Sequence, residues 1–319
     1  MGDDDAIRLG HEIVCVDTGY ERPRLAAAYL VREGDRAAFI DTGTYFAVPR
    51  FLELLDREGI PRANIDYVIP THVHLDHAGG AGELMRQLPQ AQLVVHPRGA
   101  RHLIHPDRLV AGTVAVYGEQ GFHERFGEII PVSPARVIEA PDGFKLDLNG
   151  RVLAFLDSPG HARHHFCVYD DKSRGFFVGD TFGISYREFD TDRGAFVFAT
   201  TTPPQFDPEA WFATLSRLLS YRPQRMYLTH FGCVEDVPRL ADVLRESIRA
   251  LADIAIAAHA HGNDRTEQIR QHMRDRLLQG LAEHGCTLSS DRCEALLATD
   301  LDLNTQGLEA WVDRRKRTQ

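Results

Sequence analysis

The chain has few cysteines, and none of them has the spacing of a paired or metal-binding set. It contains five cysteines in 319 residues, an odd number without a CxxC motif, so we interpret them as isolated thiols. No run approaches the roughly 20 apolar residues that span a bilayer. The first ten residues, MGDDDAIRLG, are acidic where a secretory signal is basic and then apolar. We therefore expect a cytoplasmic protein that does not associate with a membrane.

An excess of positive charge is also absent. The 46 acidic residues outnumber the 36 basic ones, which gives a net charge of -10 and no electrostatic reason to bind a nucleic acid. The GxSxG turn that presents a nucleophilic serine does not occur. We therefore expect a small-molecule partner and a reaction without a serine nucleophile, and the sequence leaves a homodimer open.

Two successive halves alternate short β-rich runs with amphipathic segments up to about residue 232. Asn149-Gly150, between two apolar runs, is the strongest short signal of a hairpin. Strands followed by helices, twice over, predict two sheets packed face to face with helices outside, in a catalytic domain over residues 1–235. Residues 236–319 lack strand patterns. They predict a helical extension with helices at 238–259, 266–283 and 308–317.

The segment Thr71–Gly80, THVHLDHAGG, concentrates metal-capable side chains at the end of a predicted strand. His72 and His74 fall on one side of an extended chain, while Asp76 and His77 follow where the chain turns toward a helix. The four groups can therefore diverge toward two adjacent ions. Imidazole with carboxylate suits Zn, Fe or Mn, and the lack of cysteine ligands argues against a closed structural zinc site.

Three further candidates follow predicted strands in the second half of this region. His161 lies in SPGH, Asp180 in VGDT and His230 in LTHFG. Each is a metal-capable residue beside glycine or a small polar residue at a strand end, where loops carry function. Together with the first cluster they predict one metal site.

These motifs, in this order, resemble the metallo-β-lactamase superfamily over residues 11–232. The resemblance implies an α+β fold, the αββα sandwich of two mixed sheets flanked by helices, here followed by the helical extension. It implies that His72, His74 and His161 hold one metal ion. Asp76, His77 and His230 would hold a second, and Asp180 would bridge the two. Asp41 and His165 match residues that support the ligands from behind, and Asp76 and Asp180 are the expected catalytic carboxylates.

Departures from the family's patterns narrow the expected activity. Asp180 is an oxygen ligand where several true β-lactamases have cysteine, which argues against antibiotic hydrolysis. His74 stands where flavodiiron proteins have glutamate, and no flavodoxin-like segment follows. His164 replaces a glycine beside the third motif. The segment 98–130 is interpreted either as a lid or binding insertion or as a helical surface excursion.

We expect two divalent transition-metal ions, with zinc as first choice and iron or manganese as alternatives. Two ions about 3.5–4 Å apart lower the pKa of a shared water and polarise a carbonyl. The expected reaction is hydrolysis of an ester, thioester or lactone by a metal-bound hydroxide. The aromatic stretch Phe182–Phe198 is considered as an acyl wall or as ordinary core. Alternatives are a mononuclear iron persulfide dioxygenase, a phosphodiesterase, and a non-catalytic binding protein stabilised by metal.

Overall fold

The structure is a computed structural model, and it describes residues 6–201, 203–258 and 264–318. The chain divides into two compact units. The first comprises Met1–Asp157, His164–Gly179 and Pro223–Glu235, and the second Ser158–Arg163, Asp180–Arg222 and Asp236–Gln319. The predicted domain boundary after residue 235 coincides with the last passage between units. It remains a prediction, because the second unit also contains two earlier segments.

The first unit contains a seven-stranded mixed sheet with the strands in chain order. Its strands are β1 (Ala6–Arg8), β2 (Ile13–Asp17), β3 (Ala27–Glu33), β4 (Arg36–Ile40), β5 (Ile65–Ile69), β6 (Gln92–Val95) and β7 (Val137–Glu139). Pairing is antiparallel from β1 to β4 and parallel from β4 to β7. Parallel pairing places the carboxyl ends of β4 and β5 at one edge. Asp41 and Thr71, which follow these strands, therefore come together.

A six-stranded sheet also lies in the first unit, in the order β13-β12-β11-β10-β9-β8. Its strands are β8 (Lys145–Leu148), β9 (Arg151–Asp157), β10 (Phe166–Asp170), β11 (Gly175–Gly179), β12 (Arg225–Leu228) and β13 (Gly232–Val234). Only β11 and β12 pair in parallel. The predicted hairpin at Asn149-Gly150 is confirmed between β8 and β9.

The period-two alternation of strand side chains explains why the two sheets pack together. Ile13 and Tyr29 point into a core shared with Phe155, Phe177 and Tyr227 of the second sheet. The alternate side chains of β2 and β3 pack instead into a core with the helices of the first unit. Burial on both faces accounts for the nearly continuous apolar character of these strands.

Five helices of the first unit follow its strands. They are α1 (Val48–Arg57), α2 (Leu75–Ala78), α3 (Ala81–Gln87), α4 (Pro97–Ile104) and α5 (Asp107–Phe126). The first of these buries Phe51, Leu54 and Leu55 at helical spacing. The segment 98–130 is thus largely helical, and α5 is interrupted at Gly118, whose φ is 73°.

The second unit contains four helices, α6 (Pro208–Ser220), α7 (Val237–Ala258), α8 (Arg265–His284) and α9 (Ser290–Thr318). Asp207 caps α6, since its carboxylate accepts from the Ala210 N–H at 3.1 Å. The third predicted C-terminal helix begins 18 residues earlier than expected, at Ser290 rather than 308. The predicted end of α7 at His259 lies outside the described residues.

Among the described helices, none is long and apolar enough to cross a membrane.

Candidate metal centre

Asp41 joins three loops at the sheet edge of the first unit. Its Oδ1 accepts from the backbone N–H of Thr71 at 2.7 Å and from the Thr71 hydroxyl at 2.9 Å. Its Oδ2 accepts from the Thr229 hydroxyl at 2.6 Å and lies 3.0 Å from Nδ1 of His77. This carboxylate is only 1% exposed. Because buried carboxylates require such partners, Asp41 fixes the loops that present the histidines.

His77 and His230 direct their outer ring nitrogens at the same carboxylate. Their Nε2 atoms lie 3.5 and 3.3 Å from Oδ2 of Asp76. The Nδ1 of His230 is 2.8 Å from the Leu25 carbonyl oxygen, which can only accept, so that nitrogen carries the proton. The Asp41 carboxylate also can only accept, so the Nδ1 of His77 carries a proton as well. One ligand atom each of Asp76, His77 and His230 lies within 4.8 Å of the others.

This donor arrangement fits a divalent metal ion. When neutral, an imidazole that donates through Nδ1 has a lone pair at Nε2 that can bind a metal, and two such nitrogens face a carboxylate in the first unit. Imidazole with carboxylate is a ligand set for divalent transition metals. The carboxylate and the carbonyl behind the rings provide the support that ligating histidines have in metal sites.

His72 and His74 form a second close pair in the first unit. The Nε2 of His72 lies 2.8 Å from the Nδ1 of His74. His165 stacks on His72 with ring centroids 4.7 Å apart, and its role behind the ligands stays a prediction. A side chain at Gly179 would collide with His165 Nε2 and the Thr71 hydroxyl at 2.5 Å, so glycine is required there. His164 contacts His74 edge-on at 5.5 Å.

In the second unit, His161 and Asp180 are adjacent. The Nε2 of His161 lies 3.3 Å from Oδ2 of Asp180. Its Nδ1 is 3.2 Å from the Thr200 carbonyl oxygen, which can only accept, so that nitrogen carries a proton and Nε2 is the nitrogen that faces the carboxylate. This pair has the same donor chemistry as the group around Asp76.

Four of the five aromatic side chains from Phe182 to Phe198 are buried. Phe182, Phe189, Phe198 and Tyr186 are each at most 2% exposed. The Tyr186 hydroxyl donates to Asp300 of α9 at 2.9 Å. The interpretation of Phe182–Phe198 as an acyl wall is therefore wrong for these four residues, and the core interpretation is correct.

Tyr20 is a neighbour of Asp76 that the sequence interpretation missed. Its ring stacks on Phe126 at the end of α5, with centroids 5.9 Å apart. Burial raises the pKa of Tyr20 well above its usual range, and the Asp76 carboxylate raises it further. The residue therefore stays neutral beside the site. The carboxyl-terminal end of the 98–130 segment, at Phe126, therefore contacts a neighbour of Asp76, and the role of the segment stays a prediction.

Other residues that contact the candidate ligands were not predicted from the sequence, because they contribute backbone carbonyls or common hydroxyl groups. Leu25 and Thr200 contribute backbone carbonyls, which no side-chain pattern marks. Thr229 could have been found, since Thr71-His72 and Thr229-His230 repeat the same dipeptide after two strands. His96 caps α4 by accepting from the Arg98 N–H at 3.0 Å. Its Nε2 lies 3.0 Å from the Asp157 carboxylate.

Comparisons with a family model, with known proteins and with solved structures all identify metallo-beta-lactamase proteins. The sequence model described as the Metallo-beta-lactamase superfamily matches residues 22–230. The metallo-beta-lactamase fold-containing protein ST1585 of Sulfurisphaera tokodaii is 28% identical over 217 residues, which cover 67% of this chain and 76% of that protein. A solved structure, the metallo-beta-lactamase family protein TTHA1429 of Thermus thermophilus, matches with a TM-score of 0.67 at 18% identity. The match covers 97% of this chain and 95% of that one.

Two relatives carry names that state an activity. The acyl-coenzyme A thioesterase MBLAC2 of Gallus gallus is 29% identical over 174 residues, which cover 50% of this chain and 59% of that protein. The hydroxyacylglutathione hydrolase of a Synechococcus species is 28% identical over 153 residues, 48% of this chain and 47% of that protein. The chain thus spans roughly half of each of these two relatives. The structural match at 18% identity supports the fold alone.

Proposed function

Since this chain belongs to the metallo-beta-lactamase superfamily, we propose that it is a metal-dependent hydrolase of an ester or thioester that uses two divalent ions. The relatives named as an acyl-coenzyme A thioesterase and as a hydroxyacylglutathione hydrolase make a thioester the first choice. A lactone offers the same carbonyl chemistry and remains within the proposal. Zinc is the proposed metal, with iron and manganese as the alternatives.

The proposed ligands follow the family's order. His72, His74 and His161 would hold one ion, and Asp76, His77 and His230 the other. Asp180 would bridge both. The assignment of the second ion has its support within the first unit, where the Nε2 atoms of His77 and His230 lie 3.5 and 3.3 Å from the Asp76 carboxylate. This convergence of two imidazole nitrogens on one carboxylate is the observation that carries the proposal.

The residues of the chain have distinct parts in the reaction. When bound, the two ions would supply an acidified water and a Lewis acid for the substrate carbonyl. The Asp180 and Asp76 carboxylates would orient that water and accept its proton. Asp41 would keep the Nδ1 proton of His77 in place, so that this ring offers only its Nε2 lone pair. Neutral Tyr20 would add an uncharged hydroxyl to the wall near Asp76.

The charges near these residues favour an acyl substrate over a polyanionic phosphate. Arg125, at the end of α5, forms an ion pair with Glu21. Arg187 donates to the Ser185 carbonyl at 2.8 Å and lies 3.3 Å from the Asp190 carboxylate. Both guanidinium groups therefore already have acidic partners. The aromatic pair of Tyr20 and Phe126 offers apolar contact instead.

The test is a substrate panel with matched variants. Purified protein would be assayed against an acyl-coenzyme A, an acylglutathione, a carboxylic ester, a lactone, a phosphodiester and a persulfide, the last with an oxygen electrode. We expect turnover of at least one acyl compound, its loss in His77→Ala, and its retention in His272→Ala, which changes an exposed histidine of α8. Phosphodiester turnover without acyl turnover, or oxygen uptake with the persulfide, would contradict the proposal.

A further inference from the structure

Aromatic rings gather where α5 ends, beside two loops of the first unit. Within α5, the ring centroid of Phe126 lies 5.3 Å from that of Tyr117 and 5.9 Å from that of Phe122. The ring of Tyr20, in the loop between β2 and β3, stacks on Phe126 from outside the helix. These contacts join the end of the helix to the β2–β3 loop.

The segment after β4 continues this cluster to the surface of the protein. Gly127, directly after α5, packs against Tyr45, since a side chain at Gly127 would lie only 2.9 Å from the Tyr45 Cβ. The Tyr45 ring contacts the Phe46 ring edge-on at 5.9 Å. Phe46 is 52% exposed, whereas Phe126 is only 2% exposed. We call these rings the aromatic surface of α5, and its members are Tyr20, Tyr45, Phe46, Tyr117, Phe122 and Phe126.

The two loops that contribute to this surface also contact candidate metal ligands. The β2–β3 loop contributes the Leu25 carbonyl, which lies 2.8 Å from the Nδ1 of His230. The segment after β4 contributes Thr42, whose N–H and hydroxyl donate to the His77 carbonyl at 2.7 and 2.9 Å. The aromatic surface of α5 is therefore fixed to the same loops as the groups that contact His77 and His230, which places it beside the candidate metal centre.

The positive charge beside these rings is balanced. The Arg125 guanidinium lies over the Tyr117 ring, 5.3 Å from its centroid, and forms an ion pair with Glu21 of the β2–β3 loop. A charged group that bound here would have to leave water without gaining a new partner from this ion pair. An aliphatic chain gains free energy as its apolar area leaves water. The chemistry of the surface therefore fits an aliphatic chain.

We propose that the aromatic surface of α5 binds the aliphatic acyl chain of the substrate, and that Phe46 is the residue that determines the preferred chain length. This inference rests on the proposed function, since the acyl carbonyl lies at the metal centre while the chain extends along the rings toward Phe46. Each methylene group that leaves water on this surface should strengthen binding about threefold to fourfold. The protein therefore prefers longer acyl chains to an acetyl group.

Calorimetric titration tests this site without requiring turnover. Full-length protein purified without chelators would be titrated with straight-chain carboxylates from acetate to octanoate, which are the acid products of such substrates. We expect the affinity of the wild type to rise with each added methylene. Octanoate should bind about tenfold more weakly to Phe46→Ala, a larger loss than for acetate, because the chain loses an apolar partner. Tyr221→Ala removes another exposed aromatic ring, just after α6, and should bind octanoate as the wild type does.

Three results would overturn the inference. Affinities that do not change with chain length would exclude an aliphatic site, and an equal rise in Phe46→Ala would place the chain elsewhere. A wild-type dimer that becomes a monomer in Phe46→Ala, measured by light scattering, would show that a second copy of the chain covers the ring. The substrate panel is a separate test. If no acyl compound were hydrolysed, the proposed function would fail, and the carboxylate series would still decide whether this surface binds aliphatic chains.

Discussion

The group around Asp76 and the pair of His161 and Asp180 have the same donor chemistry but different supports. In the first unit, a buried carboxylate, Asp41, orients His77 and ties the loops after β5 and β12 together. In the second unit, His161 is oriented by the neutral backbone carbonyl of Thr200. A charge-assisted hydrogen bond is roughly twice as strong as a neutral one. The first group should therefore be the more firmly preorganised.

The Thr200 carbonyl, which orients His161, is held in place by a distant part of the sequence. The Asn304 side chain of α9 accepts from the Thr201 N–H at 2.5 Å, and the Thr201 hydroxyl donates to the Asn304 carbonyl at 3.1 Å. The position of the Thr200 carbonyl is thus set from the C-terminal helices. Similar imidazole–carboxylate groups can therefore be oriented either by a nearby buried charge or by neutral contacts from a distant part of the sequence.

The largest expected effect comes from removing a proposed ligand of the firmly supported group. His77→Ala deletes an Nε2 donor and leaves the buried Asp41 carboxylate without one of its partners. We expect no measurable turnover of the acyl substrate in steady-state assays, while circular dichroism retains the native spectrum. Activity in His77→Ala close to that of the wild type would remove this residue from the site.

Asp41→Asn tests the charged support itself. The substitution keeps the size of the side chain but removes the charge that orients His77 and holds the two threonine hydroxyls. Metal affinity should fall about 10- to 100-fold, as for other residues behind metal ligands, in competition with a chromophoric chelator. Asp66→Asn is the control, because Asp66 pairs with Arg36 at the opposite end of β5. Equal affinities of the two variants would contradict this role of Asp41.

Asn304→Ala tests the neutral support. It leaves the buried Thr201 N–H without its acceptor, so the free energy of unfolding should fall by about 1–3 kcal/mol in a denaturant titration. We expect metal affinity to fall only a few-fold, since His161 keeps its carbonyl partner. A larger loss of affinity than in Asp41→Asn would reverse the ranking of the two supports.

Tyr20→Phe should have the smallest effect. The ring still stacks on Phe126, and only the hydroxyl near Asp76 is lost. Because the pKa of Tyr20 is raised, the residue stays protonated from neutral pH up to at least about pH 10 in the wild type. We therefore expect wild-type and variant pH–rate profiles to share one alkaline limb and to differ less than about threefold in KM. An alkaline loss of activity seen only in the wild type would show that Tyr20 ionises.

The sequence predicted most strands and the candidate ligands because both follow local rules. Alternating apolar residues determine the sheets, and histidines and carboxylates that follow strands can be read directly from the sequence. The groups that orient these side chains were harder to predict. The Leu25 and Thr200 carbonyls belong to every residue type, and Asn304 lies 103 residues from its partner Thr201. The aromatic stretch after Asp180 was ambiguous because burial depends on α7 to α9, whose packing no local pattern encodes.

The metal content of the wild-type protein tests the central claim most directly. Protein purified without chelators would be analysed by plasma emission spectrometry, then again after incubation with Zn, Mn or Fe and removal of the excess. The proposed ligand set predicts close to two ions per chain. A content of one ion per chain that none of the three metals raises would contradict the two-metal site.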